Sequence, residues 1–89
     1  MLRFIETGFE CTYKNELTKC TSIIRLNEMK NDKGKFYTVN KQLIGENGFV
    51  IYNFEFNYIK RESTVVKFDK LCNDLKENDF YLIEMKKHN

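Results

Sequence analysis

Cys11, Cys20, Cys72 and His88 are the side chains of this chain with the reactivity for nucleophilic or metal chemistry. Their spacing supports neither. A Cys–His or Ser–His arrangement needs a base held in a fixed orientation. The only histidine is His88, one residue from the end of the sequence, and chain ends fray. A structural zinc site needs two closely spaced ligand pairs. Eight residues separate Cys11 from Cys20, and there is no second pair. The acids stand singly among lysines. The Gly45–Gly48 stretch, GENG, lacks the GK[ST] ending of a phosphate-binding loop and joins two strand-like runs rather than a strand and a helix. No catalytic site, metal or cofactor is expected.

The remaining chemistry is that of binding. Lys33, Lys35 and Lys41, with Lys30, surround Phe36 and Tyr37, and Lys60 and Arg61 follow the long aromatic run at 50–58. Cations around an aromatic anchor are the composition of an interface hot spot, although arginine is commoner there than lysine. The same groups could contact phosphate. Lys33, Lys35, Phe36, Tyr37, Lys41, Lys60 and Arg61 are therefore the candidate partner-binding residues. A solvated edge that resists aggregation is the plainer reading of the same lysines.

The elements that must position these residues follow from periodicity. Residues 3–13 alternate, with Ile5, Thr7, Phe9, Cys11 and Tyr13 on one side, which predicts a half-buried strand. Gly8 in its middle predicts a bulge or a close backbone approach. Residues 21–29 and 35–43 are rich in β-branched and aromatic types, and NDKG at 31–34 predicts the hairpin turn between them. After GENG, residues 49–60 form the longest strand. Its even positions, Tyr52, Phe54, Phe56 and Tyr58, make an aromatic ladder, while Asn53, Glu55 and Asn57 occupy the other side.

From Ser63 the period changes. Val65, Phe68, Leu71, Cys72 and Leu75 fall on one helical stripe, with Asp69, Lys70, Asn73 and Lys76 opposite. This predicts a helix over 64–77, capped by Ser63 and ended by Asn78 and Asp79. The stripe is expected to cover the aromatic ladder. Residues 80–86 form a final strand. The order ββββαβ gives an α+β fold, mainly an antiparallel sheet with one amphipathic helix on a face. The alternative makes 15–30 a helix, for a ferredoxin-like βαββαβ order. Ile23 and Leu26 fall off that helical stripe, and Thr18, Thr21, Ile23 and Ile24 lower helix propensity.

Residues 47–54, NGFVIYNF, share a glycine, an aromatic and alternation with the RNP1 pattern of RNA-recognition strands. Asn47, Val50 and Ile51 depart from it, and no second motif accompanies it, so that family is not assigned.

Eighty-nine residues make one small domain, here 1–89. Its net charge of +2 excludes an acidic nucleic-acid mimic and falls short of a dedicated duplex binder. Three unpatterned cysteines suit a reducing compartment, where they serve as small apolar residues. No run approaches the roughly 18 apolar residues that span a membrane, and the acids near the start do not fit a signal peptide. The expectation is a cytoplasmic, non-membrane protein. Twelve Lys, ten Asn, seven Ile, eight Phe and no Ala, Pro or Trp point to AT-rich codons, as in low-GC bacteria and their phages or in AT-rich eukaryotes. The leading expectation is a small non-enzymatic binding protein, a modulator or inhibitor of a host protein complex, of phage or mobile-element origin. Its contact surface is expected at a sheet edge or the hairpin tip rather than the helix. The alternative is weak nucleic-acid binding through the basic tip and exposed tyrosines. Oligomeric state is not legible.

Overall fold

The structure, a computed structural model, describes residues 3–87, with side chains described from Gly8 onward. The single histidine lies outside that range. The described residues form five strands and one helix, in the order β1 (Arg3–Lys14), β2 (Thr21–Asn31), β3 (Gly34–Ile44), β4 (Val50–Tyr58), α1 (Arg61–Glu77) and β5 (Tyr81–Lys87). The strands form one antiparallel sheet, ordered β4-β3-β2-β1-β5. The predicted ββββαβ α+β architecture is the one observed. The ferredoxin-like alternative is excluded, because 21–31 is a strand. Residues 15–20 make only a loop.

That loop is held by Asn15. It is buried, and its side-chain oxygen accepts the backbone N–H groups of Leu17 at 2.9 Å and Thr18 at 3.1 Å. Its amide donates to the carbonyl of Asn78 at the end of α1, at 3.2 Å. One side chain thus ties the β1–β2 loop to the helix terminus. Tyr81 on β5 adds a hydroxyl bond to Glu16. That bond, ahead of the nearby Lys19, holds the Glu16 carboxyl below the usual carboxylate range. Asn15→Ala leaves two N–H groups and a carbonyl without their partner. It is expected to cost about 1–3 kcal/mol in a urea titration. Asn15→Asp, which keeps the acceptor, is expected to lose less.

Gly8 fulfils both halves of its expectation. The β1–β2 register shifts between Thr7 and Phe9. A Cβ at Gly8 would lie 3.1 Å from the Leu26 side chain. The β2–β3 hairpin turns through Asp32 and Lys33, with Gly34 at φ +123°.

The helix begins earlier than its sequence suggests. Lys60 stands at the cap position without a side-chain cap bond, and Ser63 lies exposed within the first turn. The reason is the next residue. Thr64 is completely buried, and its hydroxyl donates to the Lys60 carbonyl at 2.9 Å. Burying Thr64 against the sheet requires a turn of helix before it. The C-terminus ends as expected. Asp79 takes the left-handed conformation, φ +67°, which Asp tolerates better than most residues. The Phe80 N–H then reaches back to the Leu75 carbonyl at 3.0 Å, the closing bond of a Schellman motif.

The core lies between α1 and the middle of the sheet: Cys11, Tyr13, Ile24, Val39, Leu71, Cys72 and Leu75, flanked by Phe56, Phe68 and Phe80. The stripe faces the sheet as predicted, but Val65 and Phe68 are only half-buried. The helix rests mainly on β2 and β3. It therefore covers only part of the aromatic ladder. Phe56 packs on the core, whereas Phe54 stays 52% exposed. Among the described residues none forms a second layer on the opposite face of the sheet. Its polar side chains pair with one another, as in the Arg25–Glu10 ion pair at 2.6 Å and the Asn27–Thr38 bond at 3.2 Å.

Candidate functional site

Strand register decides which of the candidate residues meet. The β2–β3 turn places Lys33, Lys35 and Phe36 at one end of the sheet. β4 returns to that end, so Ile59, just past Tyr58, arrives beside Phe36. Together with Asn31 and Gly34 they line a shallow cleft of ≈ 210 Å³. Ile59 is 83% exposed, and Lys60 and Arg61, both exposed, come next in the chain. Lys35 turns its ammonium to the other face of β3, the face of Tyr37, where it sits 3.6 Å from Glu28.

Two candidate residues stand apart. Tyr37 points to the opposite face from Phe36, because neighbours on a strand alternate. It is half-buried between Glu28 on β2 and Tyr58 on β4. Lys41 is seven residues from Gly34 along β3, about 23 Å at the usual strand rise. It is not part of the tip. Its ammonium lies 5.7 Å from the centre of the Tyr52 ring, and Tyr52 lies 4.9 Å from Phe54, centroid to centroid. This makes a second surface: a cation over the Tyr52 ring with Phe54 beside it, on the part of the ladder that α1 leaves open.

Ile59 was not singled out by its sequence, although a signal exists. It is apolar yet stands on the side of β4 where Asn53, Glu55 and Asn57 predict solvent. The Lys41–Tyr52–Phe54 group was equally hidden, because it depends on the β3–β4 register.

A third feature is a groove of ≈ 220 Å³ between α1 and the β1/β5 side of the sheet, lined by Phe9, Cys11, Leu26, Val65, Phe68 and Met85 with Asp69 at its edge. The Phe9 and Phe68 rings stand 6.4 Å apart across it. Cys11 and Cys72 are free thiols in the core, and burial pushes both above the ordinary thiol range. A buried protonated thiol is a poor nucleophile. Among the described residues no three His, Cys, Asp or Glu side chains converge to hold a metal ion. No helix there is long and apolar enough to cross a membrane. Compared with protein-family models, with curated proteins and with solved structures, the chain gives no match in any of the three.

Proposed function

We propose that this chain is a non-enzymatic protein-binding module that uses the hairpin-tip end of its sheet. The observation that carries this reading is Ile59, almost fully exposed beside Phe36 in a cleft edged by Lys33, with Lys60 and Arg61 exposed next along the chain. An apolar floor with a cationic rim fits a partner that presents one apolar side chain among carboxylates. The floor supplies desolvation, and the rim supplies steering and orientation. The small size and the AT-rich codon bias support a phage or mobile-element accessory protein that modulates or inhibits a host complex.

The test is capture from a native-source lysate, treated and untreated with nuclease, followed by affinity measurement on the recovered partner. Ile59→Ser with Lys33→Glu is expected to weaken binding about 10-fold or more, the scale of a hot-spot loss. Lys70→Glu with Lys76→Glu, on the outer face of α1, is expected to leave it unchanged. The reverse pattern moves the site to the helix.

A second reading rests on the Lys41–Tyr52–Phe54 surface. An exposed ring, Phe54, beside a half-buried Tyr52 that lies under a cation can stack a single-stranded base. Binding of this kind is expected to be weak and to fall steeply with salt, since few lysines reach phosphates together. Recovery of nucleic acid in place of protein, lost on Tyr52→Ala, would favour this reading over the first.

A further inference from the structure

The two edges of the sheet differ. β5 is guarded: three of its seven residues, Glu84, Lys86 and Lys87, are charged, and its pairing with β1 is irregular after Thr12. Charges and bulges are the usual devices that keep an edge from pairing with another chain. β4 has almost none of them. Its nine residues include one charge, Glu55, with no Pro or Gly. It pairs with β3 in unbroken register from Tyr52 to Tyr58, its one irregularity lying at Ile51 near the start of the strand. Val50, Ile51 and Phe54 are each more than half exposed.

From Ile51 to Ile59 the chain reads the same in both directions, IYNF-E-FNYI, so β4 offers an oppositely running copy of itself the same alternation of rings and polar side chains. We propose that β4 is the seam of a homodimer, in which two copies pair antiparallel about Phe54 into a continuous ten-stranded sheet. In this register Phe54 meets its own copy. Tyr52 meets Phe56 of the second copy on the helix-bearing face, and Asn53 meets Glu55 on the other. All nine residues overlap. Moving the centre to Glu55 places two carboxylates directly opposite, which is destabilising. Moving it to Asn53 sets Glu55 against Ile51. The single charge therefore selects the Phe54-centred register, where each Glu55 faces an amide that can donate to it.

The dyad of such a pair runs perpendicular to the sheet, so both copies of α1 lie on the same face. Because α1 rests mainly on β2 and β3, the two helices flank the seam rather than cover it. The rings that α1 leaves exposed in one copy, Phe54 above all, gain cross-strand aromatic neighbours from the other. The second copy thereby completes the ladder. This seam is separate from the tip cleft and stands or falls independently of it.

Sedimentation equilibrium on the full chain tests the proposal, with folding of each variant confirmed by circular dichroism. The expected result is a monomer–dimer equilibrium in the native sequence. Asn53→Lys places a cation opposite Glu55 twice per dimer and should tighten it by about 2- to 30-fold. Asn53→Glu places carboxylates opposite each other twice and should weaken it by a similar factor. In a Cys20→Ser background, Phe54→Cys should oxidise to a covalent dimer, since directly opposed strand residues lie within disulfide reach. Ile51→Cys, opposite Asn57 in this register, should not. A chain that stays monomeric up to about 0.5 mM overturns the proposal. So does a dimer indifferent to charge at position 53, or one that cross-links through 51 rather than 54.

Discussion

Ile24→Ala is expected to lower the unfolding free energy by about 2–5 kcal/mol, the range for truncating a large buried aliphatic side chain. Ile24 has no exposed surface. It sits on β2, the central strand of the five, opposite Cys11 on one side and Lys41 on the other. It belongs to the cluster that Leu71, Cys72 and Leu75 close from above. Chains of this size have about 4–13 kcal/mol of total stability, at roughly 0.05–0.15 kcal/mol per residue. The substitution therefore removes a large share of it. The melting temperature should fall by about 4–8 °C per kcal/mol. In urea the midpoint should drop with the slope unchanged, because the exposed surface on unfolding is nearly the same. Phe68→Ala is the informative comparison. Its stripe position suggests a core residue, but it is half-buried and borders the open groove of ≈ 220 Å³. It leaves less of a closed cavity and should cost less than Ile24→Ala. If Phe68→Ala is the more damaging of the two, α1 sits deeper over β1 than described.

The sheet was legible because a half-buried strand writes its face into every second residue. The strand ends, the NDKG turn and the final strand follow from that alternation and from Gly34 and Gly48. The helix was legible by its stripe, but not by its start. Ser63 has cap chemistry, yet the position of the first turn is set by Thr64, whose burial depends on a sheet that local sequence cannot show. The ladder was half legible for a similar reason. Alternation says that Tyr52, Phe54, Phe56 and Tyr58 share a face, and the structure agrees. How far one helix reaches across that face depends on its crossing path, so Phe56 joins the core and Phe54 does not. At the tip, Lys33, Lys35 and Phe36 follow from the hairpin turn. The remoteness of Lys41 is implicit in the same turn, since every residue added to β3 moves it away. The alternation of β3 likewise sends Tyr37 to the face opposite Phe36. Ile59 needed the β3–β4 register as well.

Raising the pH through the range from about 9 to 11 should destabilise the protein, by an amount set by the groups that α1 encloses against β1. Cys11 and Tyr13 are each 2% exposed, and Cys72 is 7% exposed. Burial, reinforced by the neighbouring Cys72 thiol, raises the Cys11 thiol from an ordinary value of 9.0 to about 11. Burial first, and then a bond to Cys72, also raises the Tyr13 phenol above its ordinary range. Burial is likewise the main cause of the rise at Cys72. Below about pH 9 these groups are protonated in both the folded and the unfolded chain, and their contribution is fully present. Above it the unfolded chain releases the Cys11 proton while the folded chain keeps it. The unfolded state then binds fewer protons, so the free energy of unfolding falls with pH. The slope is about 1.4 kcal/mol per pH unit for each such group. The loss from Cys11 is complete once the folded thiol itself titrates, near 11. Urea midpoints across this window should therefore decline steadily. Cys11→Ala, at a cost in packing, should flatten the first part of the decline, and Tyr13→Phe the part at higher pH. A native-sequence profile that is level through pH 11 would mean that water reaches the Cys11 thiol. The α1–β1 contact would then be looser than its burial implies.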